Sequence, residues 1–256
     1  MISIRLLGCN GGIGGELRQS TCYLLGERLL VDAGTGLGTL PLNEMQHIDH
    51  VVLTHAHLDH IACLPLLVDS VAAQRTQPLQ VWALPEVIAV LASHIFNDKV
   101  WPDFTQIPTP EQPFMRLNVL PEVLEVEGMR ISALPANHGI PACGLRVETE
   151  AISIAFSGDT ADCPAFWQAV HEDQRLTAVI VECSYPASMS DMALLSMHLD
   201  TSVLLPRLRA LPTRVTPVVI HRKPGMEDAI AKELVAGLPE RNVRLPSPGD
   251  MLTFTA

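Results

Sequence analysis

Four side chains of metal-binding type, His55, His57, Asp59 and His60, fall within six residues of one another in the stretch THAHLDH, directly after the apolar run Val51, Val52 and Leu53. Histidine and aspartate rarely serve a protein core, so packing does not account for this spacing. In an extended segment His55 and His57 point the same way, because side chains alternate with a period of two. Asp59 and His60 stand where a helix begins and face a second point nearby. The pattern therefore suits two cations a few ångströms apart better than one. Imidazole mixed with carboxylate favours zinc, with manganese or iron as alternatives.

Four residues do not complete two sites, so partners must come from later in the chain. LPANHGIPACG supplies His138 after a strand-like run, ISIAFSGDTAD supplies Asp159 beside Gly158, and PVVIHRKPG supplies His221 at the end of a third apolar run. Each is weak alone. They gain weight together because all follow the same kind of element, a buried strand whose end holds a side chain rigidly and yet exposed.

The elements that must position these residues are legible in outline. Strand-like runs recur at 2–7, 21–25, 28–31, 51–54, 79–83, 130–133, 144–148, 152–157, 178–182, 218–221 and 251–254. Helical periodicity predicts helices over 59–73, 86–96, 164–171, 196–209 and 227–238. Hairpins mixed with strand–helix units predict an α/β or α+β chain of two mixed sheets with helices outside. The proline-rich segment 101–121 reads as an irregular loop. No repeat, charge block or Gly/Ser linker divides residues 1–256, which read as one domain.

Composition excludes several classes. Hydrophobic residues make up 48% and charged residues 18%, enough for a large core and poor for disorder. The formal net charge of −11 counts against stable nucleic-acid binding, which needs a positive surface. A small anionic substrate stays compatible, because bound cations reverse the local field. Six cysteines without a C-x-x-C pair read as reduced thiols, and no apolar run approaches the roughly 18 residues of a membrane span. The start, MISIRLLGCNGGIGG, reads as a strand and loop, not a signal peptide; a cytoplasmic location is expected.

The whole chain resembles the metallo-β-lactamase superfamily, through DAGTG at 32–36, THAHLDH at 54–60, NHG at 137–139, SGDT at 157–160 and IHRKP at 220–224. The resemblance implies an αβ/βα four-layer sandwich with a dinuclear metal site. It implies that His55, His57 and His138 hold one divalent cation, that Asp59, His60 and His221 hold the other, and that Asp159 bridges them. Asp32 would be a supporting carboxylate that orients a ligand or loop, or else simply a turn aspartate. Within the superfamily, HAHLDHIACLPLLVDS, HIFNDKVWPDFTQIP, VECSYP, HLD at 198–200 and HRKP are similar to segments of class II 3′,5′-cyclic-nucleotide phosphodiesterases, with Cys63 where that family has glycine or serine.

That resemblance implies hydrolysis of cyclic AMP or cyclic GMP by a metal-bridging hydroxide, with Asp59 both ligating a metal and orienting the nucleophile. His198, held by Glu182, would give a proton to the leaving 3′-oxygen. Lys223 would balance phosphate charge or sit at the surface. Asn97, Trp101 and Phe104, in a segment 95–121 taken as a lid or interface loop, would contact a purine, anchor the loop or meet a second copy in a homodimer. His47, His50, His94 and His171 are background. The rival readings are an RNase Z-type tRNA 3′-processing endonuclease, a phosphodiesterase for another small cyclic ester, and a non-catalytic binding module. The acidic charge and the lack of a Gly-rich basic insertion argue against the first, and the complete ligand set argues against the last.

Overall fold

The computed structural model describes residues 1–15 and 17–256, and in it two β-sheets pack face to face with helices on both outer sides. The first sheet opens with β1 (Ile2–Gly8), β2 (Cys22–Leu25) and β3 (Leu29–Val31), which run antiparallel. It continues in parallel with β4 (His50–Val52), β5 (Leu79–Ala83) and β6 (Met115–Val119). The connections carry α1 (Leu42–Met45), α2 (Leu58–Ile61), α3 (Leu64–Val71) and α4 (Pro85–Val90).

The second sheet starts with the antiparallel strands β7 (Leu124–Val126), β8 (Met129–Pro135), β9 (Cys143–Glu148) and β10 (Ser153–Phe156). β11 (Leu176–Glu182) and β12 (Thr216–Ile220) then add in parallel, with α5 (Pro164–Glu172), α6 (Ser190–Ser196) and α7 (Thr201–Ala210) between them and β10. After α8 (Glu227–Gly237) the chain returns to the first sheet, where β13 (Met251–Phe254) pairs with β1.

Alternation along the strands builds the layers. In β3, Leu29 and Val31 face the opposite sheet while Leu30 faces the helices; in β11, Ala178 and Ile180 face inward and Val179 and Val181 outward. The inter-sheet core gathers Ile4, Leu6, Tyr23, Leu145, Val147, Ile154 and Phe156. One outer core lies under α2–α4 and the other under α5, α7 and α8. The arrangement is the expected four-layer αβ/βα sandwich. Strands next to helices are apolar on both faces, which is why they read as continuous hydrophobic runs.

The differences from expectation have local causes. The helix expected over 59–73 breaks at Cys63, because Pro65 in the first turn of α3 has no N–H to give the Ile61 carbonyl. The helix expected over 196–209 begins only at Thr201, after a linker at 197–200, and α6 before that linker is additional to the expected helices. α6 ends at Met197 in the left-handed conformation, φ 57°, and α7 restarts at Asp200, whose carboxylate caps the backbone N–H groups of Ser202 and Val203. β6 and β7 are additional to the expected strands; both are short and outermost in their sheets, and Pro113 and Pro121 bracket β6. All six cysteines are free, and no helix among the described residues is long and apolar enough to cross a membrane.

Leu145 is fully buried between the sheets, whereas Leu42 is 49% exposed on α1. Leu145→Ala is expected to cost about 2–5 kcal/mol of folding stability, and Leu42→Ala about 0.5 kcal/mol or less. Urea denaturation of the two variants checks the contrast.

Candidate active site

The carboxyl ends of six strands meet at one edge of the sandwich. Asp32 follows β3, His55 and His57 follow β4, His138 follows β8, Asp159 follows β10, Glu182 ends β11 and His221 follows β12. His60 lies on α2, immediately after the β4 loop. A backbone bond from the Cys143 N–H to the Thr54 carbonyl, 3.0 Å, ties the two sheets together at this edge. Gly158 makes the turn into Asp159 at φ 59°, and a Cβ there would lie 2.8 Å from the Cys143 carbonyl oxygen. Asp32 and His221 also adopt left-handed backbone, at φ 58° and 56°, a cost that non-glycine residues bear where the side chain must be aimed.

Two ligand clusters share Asp159. His55, His57, His138 and Asp159 form one, and Asp59, His60, Asp159 and His221 the other; in each, one donor atom per residue lies within 4.8 Å of all the rest. In the first, His57 Nδ1 is 3.1 Å from His55 Nε2 and 3.0 Å from His138 Nε2. In the second, Asp159 Oδ2 is 3.2 Å from Nε2 of both His60 and His221, and Asp59 Oδ2 is 3.3 Å from His221 Nε2.

The outward nitrogens show which atoms are free to bind a cation. His138 Nδ1 donates to the Met197 carbonyl at 3.0 Å, so its inward Nε2 carries a lone pair. The Thr54 hydroxyl donates to Asp32 at 2.9 Å and accepts from His55 Nδ1 at 3.0 Å, which leaves His55 Nε2 bare as well. His60 Nδ1 donates to Asp32 Oδ2 at 2.7 Å, and its buried Nε2 has no hydrogen-bond partner among the described residues. Lone pairs that converge on one another, with an orphaned buried nitrogen among them, are what divalent cations with nitrogen and oxygen ligands would satisfy. The donor set fits two such ions.

Electrostatics agree with this in the first cluster; in the second, burial lowers His60 but Asp159 and Asp32 hold it well above the ordinary histidine range, so a cation there would displace a proton. Burial, and then the neighbouring imidazoles, hold His55, His57 and His138 below the ordinary histidine range, in the neutral form that binds metal. Burial would raise Asp159, but the charges of His221 and His60 keep it well below the ordinary carboxylate range. His198 behaves in the opposite way to the first three histidines. Burial pulls it down, yet the Glu182 carboxylate, 2.7 Å from its Nδ1, holds it above its ordinary value.

The structure brings His198, Glu182 and Lys223 to the site as well. The His198 ring stands 5.1 Å from that of His138 and 5.2 Å from that of His221, in the linker between α6 and α7 and not at the start of an exposed helix. Glu182 is fully buried and accepts from the Thr160 N–H at 2.8 Å. Lys223 lies near enough for its charge to oppose protonation of His198.

Asn97, Trp101 and Phe104 are not brought there. Phe104 pairs with Met115 at the start of β6, which is level with the start of β5, so the segment lies at the opposite end of the sheet from the ligands. Phe104 packs on Phe96 and Phe114, Trp101 sits against the outer core, and Asn97 bonds to Ser93, Lys99 and Val100. The segment is therefore not a lid over its own chain's site; its apolar side chains anchor it to the outer layer. Sequence reasoning missed Thr54 and Met197. Thr54 had a signal, its place between a strand and His55. Met197 acts through its carbonyl, which leaves no side-chain trace.

The family model described as "Beta-lactamase superfamily domain" matches residues 27–222. The chain belongs to this superfamily. A Yersinia pestis protein named "Probable 3′,5′-cyclic-nucleotide phosphodiesterase" is 26% identical over 77% of this chain and 64% of its own length. "3′,5′-cyclic-nucleotide phosphodiesterase 1" of Saccharomyces cerevisiae is 29% identical over 66% of this chain and 52% of its own. "Endoribonuclease ysh1" of Schizosaccharomyces pombe is 27% identical over 59% of this chain and 22% of its own. The matches thus span less than two thirds of each of these relatives. Among solved structures, unliganded yeast PDE1 superposes over 95% of each chain with a TM-score of 0.77 at 22% identity, a likeness of fold.

Asp32 bonds both to the β4 loop, through Thr54, and to His60. Asp32→Ala is expected to weaken divalent-cation binding about 10–100-fold. Competition between the protein and a chromophoric chelator for Zn2+ measures this; unchanged affinity would leave Asp32 only a turn residue.

Proposed function

We propose that the protein is a metal-dependent phosphodiesterase that hydrolyses 3′,5′-cyclic nucleotides to 5′-nucleotides. The observation that carries the hydrolytic reading is the buried His198–Glu182 pair, 2.7 Å apart, set between two ligand clusters that share one carboxylate. The substrate class rests on the cyclic-nucleotide phosphodiesterases among the relatives. His55, His57 and His138 would hold one divalent cation, Asp59, His60 and His221 the other, and Asp159 both. Zinc suits these ligands best, with manganese or iron as alternatives. Bound there, the cations would acidify water and neutralise phosphoryl charge.

The remaining work falls to the chain. Asp59 is partly exposed, and its carboxylate would orient a water for attack on phosphorus. His198 has Nδ1 committed to Glu182, so Nε2 is the nitrogen that faces substrate. Its raised affinity for protons suits a group that must hold one until the 3′-oxygen departs. Lys223 adds a positive charge for the phosphate. Selectivity for the base does not come from Asn97, Trp101 or Phe104 of the same chain, which lie at the far end of the sheet.

An RNA-cleaving reading draws on the endoribonuclease relative, and the net charge of −11 weighs against it. Turnover of cyclic AMP, cyclic GMP, bis(p-nitrophenyl) phosphate and pre-tRNA separates the two. Cyclic nucleotides are expected to be cleaved fastest; rapid tRNA cleavage with inert cyclic nucleotides would sink the proposal. His198→Ala is expected to lower kcat about 10²–10⁴-fold with metal content unchanged, read by steady-state kinetics beside elemental analysis.

A further inference from the structure

The second oxygen of Glu182 leads to a residue not yet given a role. Ser184 lies two residues beyond the end of β11 and is fully buried. Its Oγ is 2.9 Å from Glu182 Oε2, 3.1 Å from His221 Nδ1 and 3.3 Å from the His221 carbonyl oxygen. A serine hydroxyl has one proton to give. The carboxylate is the nearest and the charged acceptor, and such bonds are the stronger kind, so the Oγ proton goes to Glu182. The oxygen then accepts from His221, whose Nδ1 must carry the ring proton.

With Nδ1 protonated, His221 Nε2 is left bare where it faces Asp59 and Asp159, at 3.3 and 3.2 Å. The opposite tautomer would put a proton on the donor atom of the second cluster. The ring has little freedom to find another partner. It is fully buried, and Gly11 packs so closely that a Cβ there would lie 2.9 Å from Nδ1. We infer that Ser184 is a positioning residue that fixes the metal-binding tautomer of His221 and links it, through Glu182, to His198. This rests on the metal-site reading above. One buried carboxylate then serves a metal ligand through Oε2 and the proton-holding histidine through Oε1.

The test is a chelator-competition titration with Zn2+ on the full chain, comparing wild type, Ser184→Ala and Ser184→Thr. Wild type is expected to bind two ions. Ser184→Ala is expected to lose about 10–100-fold in affinity for one of the two, as removal of a ligand's outer partner does. Ser184→Thr, which keeps the hydroxyl, is expected to restore it. Equal affinity of Ser184→Ala for both ions would overturn the inference while leaving the metal site standing. A wild type that binds fewer than two ions would overturn the metal-site reading, and this inference with it. A second readout is the 15N NMR signature of His221 in metal-free wild type at alkaline pH, where the ring is neutral, assigned by its loss in His221→Asn. The Nδ1–H tautomer is expected, and the Nε2–H tautomer would refute the role of Ser184.

Discussion

The arrangement depends on one constraint: lone pairs of buried and partly buried imidazoles and carboxylates face one another across a few ångströms. Such a cluster is unfavourable unless each ring is held from behind and something positive is held in front. The holding from behind falls to two buried carboxylates, one from each sheet. Asp32 follows β3 and binds Thr54 and His60, and so governs the β4 loop that carries four of the ligands. Glu182 ends β11 and binds Thr160, Ser184 and His198 on the other side. Neither carboxylate points at the shared Asp159; each aims the rings that do.

The sandwich makes that two-sided support possible. Parallel strands bring several carboxyl ends to one edge of a sheet, and packing two such sheets face to face doubles the number. The other antiparallel strands and the inter-sheet core supply rigidity without contributing ligands, whereas β8 and β10 run in the same direction and deliver His138 and Asp159 to the same edge. Backbone strain concentrates at the site: Asp32, Met197 and His221 all have left-handed φ. Met197 shows what this achieves. By ending α6 in that conformation it turns its carbonyl to His138 and starts the linker that buries His198.

How much of this the sequence discloses depends on whether a function leaves a side-chain signature. His55, His57, Asp59, His60, His138, Asp159 and His221 are legible because metal-type residues at strand ends are improbable as packing, and the structure gathers all seven. Strands buried on both faces are legible for the same reason. The break between α6 and α7 is not, since the helical periodicity of 196–209 runs through it and tertiary bonds to Met197 and Asp200 decide it. The segment 95–121 misleads because paired aromatics in a proline-rich stretch look like a ligand platform. Phe104 is instead as deeply buried as a core residue and Trp101 packs partly buried against the outer core, with Phe104 at the other end of the sheet from the site.

Charge bears on what the proposed centre would accept. Asp32, Asp59, Asp159 and Glu182 place four carboxylates around one centre in a chain whose formal net charge is already −11. Without cations such a centre repels a phosphodiester. Two divalent ions would balance the four carboxylates formally, and His198 and Lys223 would then supply the positive charge left over for a phosphate. The attraction would be short in range, because the net negative charge of the chain works against it and salt screens it beyond a Debye length of about 8–10 Å. On that reading a small anion would be drawn in more readily than a long polyanion, which must also meet the rest of an acidic chain. The charge balance thus supports the proposed preference for a compact phosphate ester.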